Sequence, residues 1–241
     1  MPASPGEHLV IDGGVKDGLH VFCAVPAFSR VRLVRFAANK RAEATLAMLA
    51  ECFQILGGVP KVVLADRMGC LKGGVVADVV VVVPTPDYVR FAMHYRFRPD
   101  FCHARDPESK GIVENLVGYT KRDLMTPLLA GLEPGPDGWN LDAVNAAALS
   151  WCAEVNSTRH PEIVAVPTER LAEVELPLLA GLPSLLPAGL LGGRRELRKV
   201  DKLSCVRFGS ARYSVPQAAP GHHGGGLGDC GWRDDPGARD R

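Results

Sequence analysis

Two short apolar runs, each closing on an aspartate, constrain this 241-residue chain more than any other feature. Leu9-Val10-Ile11 leads into Asp12 and the pair Gly13-Gly14, and Lys61-Val62-Val63-Leu64-Ala65 leads from Pro60 into Asp66. A short continuous apolar run bounded by turn residues is the pattern of a buried strand. Each run therefore predicts a strand that delivers an acid at its end.

The segments between and after them suggest one mixed sheet with helices. Residues 19–25 and 31–36 are rich in β-formers, with turn-prone stretches at Lys16-Asp17-Gly18 and residues 26–30, so three strands in an antiparallel meander are expected. Over residues 40–56, Ala44, Leu46, Ala47, Leu49, Ala50, Phe53 and Leu56 recur at helical spacing, and Gly57-Gly58 supplies a stop. A crossover through that helix makes the strand ending at Asp66 parallel to one already in the sheet. The valine-rich residues 75–83 fit a strand or a buried loop equally well. A short helix is expected over residues 86–97, a short strand over 100–104, and a helix over 109–124 with Ile112, Val113, Leu116, Val117 and Leu124 on its apolar side.

Glu133-Pro134-Gly135-Pro136-Asp137-Gly138 reads as a turn or linker, followed by a helix over residues 141–155. A Pro- and Gly-punctuated linker with a short helix at 168–174 comes next, and β character resumes over 200–215. From residue 217 onward no periodic apolar face survives, which fits either a disordered tail or out-of-frame translation of G+C-rich DNA. The expected units are thus 1–132, 133–199, 200–216 and 217–241.

Composition excludes several classes of function. No run approaches the roughly 20 apolar residues of a membrane span, and the first residues lack the basic start and apolar core of a signal peptide. A cytoplasmic protein without a membrane partner is expected. The 7 cysteines form no C-x-x-C pair, so neither a zinc site nor a disulfide framework is signalled. Net charge is only +1, yet Arg194, Arg195, Arg198, Lys199, Lys202, Arg207 and Arg212 stand against Glu196 and Asp201, a local excess of five (7 − 2). That stripe suits phosphate binding and equally a solvated basic linker.

Asp12, Asp66 and Glu114 form the constellation with a chemical use. Cleaving a phosphodiester near neutral pH requires an activated water or 3′-hydroxyl and stabilisation of charge on the phosphate and leaving oxygen, which two metal ions about 3.5–4 Å apart supply. Magnesium takes oxygen ligands and keeps several waters, so about three converging carboxylates suffice. Lys110 and Glu114 are at i and i+4, on one face of the predicted helix. A lysine there reaches DNA phosphate beside a metal-binding carboxylate, or forms an ordinary surface ion pair.

The order strand-Asp12, antiparallel strands, helix, strand-Asp66 and helical Lys110-Gly111-x-x-Glu114 resembles the retroviral-integrase-like catalytic core of DDE transposases. More narrowly, Val63-Leu64-Ala65-Asp66-Arg67-Met68-Gly69, Pro84-Thr85-Pro86-Asp87-Tyr88 and Pro107-Glu108-Ser109-Lys110-Gly111-Ile112-Val113-Glu114-Asn115-Leu116 resemble the IstA-type transposases of bacterial insertion sequences. The likeness runs over residues 6–215.

The resemblance implies an α/β, ribonuclease-H-like mixed sheet flanked by helices, then a linker and the start of a small β-barrel. It implies 3′-end cleavage followed by strand transfer, with Asp12, Asp66 and Glu114 as catalytic ligands of two Mg2+ or Mn2+ ions. It also implies DNA as partner, both element ends and target, a homo-oligomer on that DNA and a helper ATPase. Lys110, Lys121, Arg122, Arg198, Lys199, Lys202, Arg207 and Arg212 are the candidate DNA contacts.

Departures from the family pattern set further expectations. IstA-type proteins carry helix-turn-helix sequence before the core, whereas Asp12 lies close to the first residue, so a chain truncated at both ends is expected, with the barrel cut near Pro216. The interval from Asp66 to Glu114 is 48 positions (114 − 66), longer than in many relatives. Asp100, Asp106 and Glu108 are therefore rivals for the third ligand. Two other readings stand beside a transposase: a non-catalytic DNA-binding remnant that regulates or co-assembles with intact copies, and an unrelated ribonuclease-H-like nuclease.

Overall fold

A computed structural model describes residues 4–66, 68–76, 81–102, 107–136, 138–184, 205–208 and 211–214. The chain divides into two compact units, Met1–Leu186 and Pro187–Arg241.

The first unit is built on a five-stranded sheet whose strands lie in the order Leu33–Ala37, Leu19–Pro26, His8–Lys16, Val62–Ala65 and Arg98–Phe101. Strand β1 (His8–Lys16), β2 (Leu19–Pro26) and β3 (Leu33–Ala37) form the expected antiparallel meander. Asp17 and Gly18, at φ of 50° and 77°, make the two-residue turn between β1 and β2, the left-handed pair that matches strand twist. Helix α1 (Ala42–Leu56) ends at Gly57 with φ of 75°, a left-handed stop that glycine adopts without a Cβ penalty. It crosses to β4 (Val62–Ala65), which pairs in parallel with β1, and β7 (Arg98–Phe101) extends the parallel half beyond β4.

β1 corrects one expectation. Rather than ending at Asp12, it continues through Gly13-Gly14 to Lys16, paired with β2 along its whole length. The glycines do not break the strand, and Gly14 lies where a helix crosses it. A Cβ on Gly14 would meet Lys121 Cε at 2.9 Å and Val117 Cγ1 at 3.0 Å. Glycine in a strand interior marks such a close approach as well as a turn.

Between β4 and β7, the valine-rich stretch resolves into two strands, β5 (Lys72–Val76) and β6 (Val81–Pro84), forming an antiparallel sheet of their own. Helix α2 (Pro86–Tyr95) follows, capped by Thr85, whose hydroxyl accepts from the Tyr88 N–H at 3.3 Å. The strand expected over 100–104 is β7, shifted toward the N-terminus because Arg98 N–H already bonds the Lys61 carbonyl at 2.8 Å.

Alternation along the strands sorts two cores. Val10, Val21, Cys23, Val34 and Phe36 face helix α3 (Pro107–Tyr119) and helix α5 (Leu141–Ser157), packing with Val113, Leu116, Val144, Ala148 and Trp151. On the opposite face α1 covers β2 and β3, where Arg35 Nε pairs with Glu51 at 2.9 Å. An aromatic cluster of Phe53, Phe91, Tyr95 and Phe97 joins α1 to α2, with Phe91 and Tyr95 ring centroids 4.6 Å apart. Helix α3 runs on through wider π-helical turns (Thr120–Met125) into α4 (Thr126–Ala130). The Pro- and Gly-rich residues 133–136 interrupt the chain without ending this core, since α5 returns to it.

Side chains of α5 satisfy the outer edge of β3. Asn145 accepts from Phe36 N–H at 2.8 Å and donates to its carbonyl at 3.0 Å, while Asn156 does the same for Arg32 at 2.7 and 2.8 Å. The edge strand is thereby closed to further pairing. Helix α6 (Pro167–Arg170) and the π-helical turns Leu171–Glu175 bring in Glu175, which accepts from Gly6 N–H at 3.1 Å and Ser29 N–H at 3.2 Å.

In the second unit, β8 (Cys205–Phe208) and β9 (Ala211–Ser214) form the expected hairpin. The expectations for residues 185–204 and 215–241 lie outside the described residues.

Candidate active site

The sheet register brings the two aspartates together. Ile11 pairs in parallel with Ala65, so Asp12 and Asp66 are the next residues on adjacent strands, and Asp66 N–H donates to the Ile11 carbonyl at 2.9 Å. Adjacent strands are about 4.8 Å apart. Asp12 also pairs across with Cys23, whose sulfur lies 3.8 Å from the Thr120 hydroxyl at the end of α3. Cross-strand partners share a face, which sets Asp12 on the α3 side with Val10 and Gly14. Leu64 packs on that same side, and Asp66, two positions on, follows it.

Both acids are buried, with 8% of Asp12 and 5% of Asp66 exposed. Asp12 Oδ1 accepts from the Gly13 N–H at 2.7 Å. Burial pushes the Cys23 thiol up to about 12; the Thr120 contact opposes this, Asp12 adds to it, and Lys121 opposes it weakly. Cys23 thus lies within the electrostatic reach of both Asp12 and Lys121.

Helix α3 presents Glu114, half-buried, between Val113 and Val117, which pack on the sheet. The fit of α3 against Gly14 fixes its height over β1. Among the described residues no group of three His, Cys, Asp or Glu side chains is arranged to hold a metal ion. Asp12 and Asp66 carry the carboxylate oxygens that a hard divalent cation prefers; Glu114 lies on the helix that covers their face of the sheet but is not gathered with them into one such group.

Of the rival acids, Asp100 sits on β7 in register with Leu64, on the same face but one strand further out. Its Oδ1 accepts from Phe101 N–H at 2.8 Å and its Oδ2 is 3.9 Å from Arg98 Nη2. That exposed ion pair contributes no more than about 1 kcal/mol, so it does not fix the carboxylate. Asp106 lies outside the described residues, and Glu108 falls in the first turn of α3.

The candidate DNA contacts fall into three groups. Lys110 is one turn before Glu114 in α3. Lys121 crosses Gly14, its Nζ 3.2 Å from where a Cβ on that glycine would be, and Arg122 lies against Gly118. Arg207 and Arg212 are cross-strand partners in the β8–β9 hairpin, whereas Arg198, Lys199 and Lys202 lie outside the described residues. Sequence reasoning missed the backbone-binding asparagines and Glu175. The only available signal was two asparagines inside an otherwise Ala-rich helix, where propensity disfavours them.

An antiparallel meander joined through a helix to two parallel strands defines a ribonuclease-H-like fold of the integrase-core type. The catalytic core domain of BIV integrase superposes with a TM-score of 0.52 at 14% identity, covering 70% of this chain and 95% of that one. A chain of the simian T-cell lymphotropic virus intasome, solved with PP2A regulatory subunit B56 gamma, gives 0.55 at 13% identity over 82% of this chain and 64% of that one.

By sequence, the chain is homologous to insertion-sequence transposases of the IS21 type. The IS21 transposase of Pseudomonas aeruginosa is 31% identical over 200 residues, 80% of this chain and 47% of that protein. The IS232 transposase of Bacillus thuringiensis subsp. berliner is 24% identical over 190 residues, 79% and 42% respectively. An IS21-like transposase of Bacteroides fragilis is 29% identical over 185 residues, 71% and 34%. The chain thus spans less than half the length of these curated relatives. No protein-family model matches it, and among the described residues no helix is long and apolar enough to cross a membrane.

Proposed function

We propose that this chain is the catalytic portion of a DNA transposase, a DDE-type polynucleotidyl transferase that cleaves phosphodiesters and joins DNA strands with divalent metal ions. The observation that carries this reading is the register that sets Asp12 beside Asp66 on the α3 face, in a chain whose relatives are transposases. Asp12 and Asp66 would hold Mg2+ or Mn2+ from two rigid strands, and Glu114 would complete the ligand set from α3. Bound ions would activate a water or 3′-hydroxyl and stabilise charge on the phosphate and leaving oxygen.

The remaining roles belong to the chain itself. Burial of the aspartates excludes bulk water and strengthens their hold on a cation. Lys121, over Gly14, brings positive charge to the strand that carries Asp12, and Lys110, one turn before Glu114 in α3, is a further candidate contact to DNA phosphate. Arg122, Arg198, Lys199, Lys202, Arg207 and Arg212 are further candidate contacts to DNA phosphate, and the β8–β9 hairpin begins a small β-barrel. Assembly as a homo-oligomer on element ends and target DNA, with a helper ATPase, completes the reading. The paired buried aspartates favour it over a non-catalytic remnant, which has no need to keep two carboxylates under a helix.

Nicking of supercoiled plasmid by the full chain tests it. Mn2+-dependent nicking is expected, lost in Asp66→Asn. Nicking that persists in Asp66→Asn excludes this centre as its source, and DNA binding with no nicking in the parent protein supports the remnant.

A further inference from the structure

A second polar site lies on the other flank of α3. Ile112, Asn115, Leu116 and Tyr119 follow i, i+3, i+4, i+7 spacing and so share one side of the helix, whereas Glu114 is turned away from them by the helical step of about 100° per residue. That side borders a cavity of about 220 Å3, closed by the β2–β3 turn and residues 160–162. Arg30, Arg32 and His160 line it, with Glu162 as its acid.

The cationic groups are held in place. Arg32 donates from Nη1 to the Val155 carbonyl at 3.2 Å and stacks its guanidinium 5.4 Å from the centre of the Tyr119 ring. The Arg30 side chain is only 15% exposed and reaches Glu162, 61% exposed, at 3.7 Å. Arg30 adopts φ of 62°, a left-handed conformation that a glycine would take at less cost. His160 Nδ1 accepts from the Glu162 N–H at 3.3 Å, which leaves the proton of the neutral ring on Nε2 as a donor.

We propose that this cavity is a phosphate-binding site, in which the Arg30 and Arg32 guanidiniums and the His160 ring take a phosphate group, and in which Glu162 is the resident anion that the phosphate displaces. Among the described residues that line the cavity, Arg30, Arg32 and His160 supply N–H donors around Glu162, and the planar fork of arginine matches phosphate oxygens. Glu162, exposed and at salt-bridge distance only, is the element of the site that yields. The phosphate belongs to a DNA strand or to a free phosphate ion; the chemistry of recognition is the same.

The titration of His160 reports occupancy. Burial holds its protonation below the ordinary histidine range, with Arg32 and Arg30 adding to the effect and Glu162 opposing it. Asn115 and Tyr119, from α3, bring no cation to that face. A bound phosphate reverses the balance, raises the His160 pKa and binds about tenfold more tightly at low pH for each unit of that rise.

The test follows the His160 ring by NMR in the full chain with EDTA present, so that loss of metal chemistry at Asp12 and Asp66 leaves it untouched. Inorganic phosphate and a duplex oligonucleotide are titrated separately, with Arg30→Gly and Glu162→Gln as variants and circular dichroism as the check on folding. The expected result is an upward shift of the His160 titration with phosphate, weakened at least tenfold in Arg30→Gly and tightened in Glu162→Gln. The same shift with duplex assigns the phosphate to DNA, and a shift with the free ion alone assigns it to free phosphate. No shift with either probe overturns the proposal. So does unchanged phosphate affinity in Glu162→Gln, a surface variant that keeps its fold.

Discussion

The Asp66 N–H donates to the carbonyl of Ile11 at 2.9 Å, one residue before Asp12 on the neighbouring strand. That bond fixes the relative position of the two acids by backbone geometry, independently of their side chains. Asp12→Asn and Asp66→Asn are therefore expected to leave the circular dichroism spectrum unchanged, and any loss of activity they cause is a loss of chemistry. A collapsed spectrum in either variant contradicts a register set by the backbone.

Gly14 sets the height of α3 above that pair. Gly14→Val puts side-chain atoms where Lys121 Cε and Val117 Cγ1 lie, within about 3 Å. Overpacking of this kind costs about 1–3 kcal/mol, and it displaces α3, the helix that carries Glu114, relative to the sheet. Urea denaturation is expected to show that loss, with nicking falling further than stability explains. Stability and activity equal to the parent's contradict the close approach.

The α5 asparagines give a stability prediction. Asn156→Leu removes both partners of the Arg32 backbone groups, and Asn145→Leu those of Phe36. Each unpaired buried group costs about 1–3 kcal/mol. The expected readouts are a lower urea midpoint and a greater tendency to aggregate through the opened β3 edge. A Leu variant as stable and monomeric as the parent shows that the edge needs no cover.

Much of this fold was legible from the residues alone, because the continuous apolar runs Leu9-Val10-Ile11 and Val62-Val63-Leu64 mark strands buried on both faces. The meander, α1 and the parallel return all follow from that pattern and from turn residues such as Asp17-Gly18 and Gly57. Gly13-Gly14 misled because glycine marks both turns and close contacts, and the helix that contacts it arrives a hundred positions later. The valine run around residue 80 carried no period by which to tell strand from loop. Glu175 and the cavity around Arg30, Asn115 and His160 are assembled from segments distant in sequence, and no local spacing announces such a meeting.

Thiol chemistry offers a check on the core. Burial raises the Cys23 pKa to about 12 and that of Cys152 to about 11, and pushes Cys52 above the usual thiol range. Alkylation of native protein at pH 8 is expected at the half-buried Cys70, Cys102 and Cys205, and at Cys23, Cys52 and Cys152 only after unfolding. Peptide mapping that finds Cys23 or Cys52 modified in the native state contradicts the packing of the sheet.

Metal binding is the most direct test of the central claim. Mn2+ titration of the full chain, followed by electron paramagnetic resonance, measures the free ion in the parent and in Asp12→Asn, Asp66→Asn and Glu114→Gln. Binding in the parent, weakened at least about tenfold by each substitution as expected for loss of a carboxylate ligand, is the predicted result. Mn2+ affinity that is unchanged in Asp66→Asn would contradict the account.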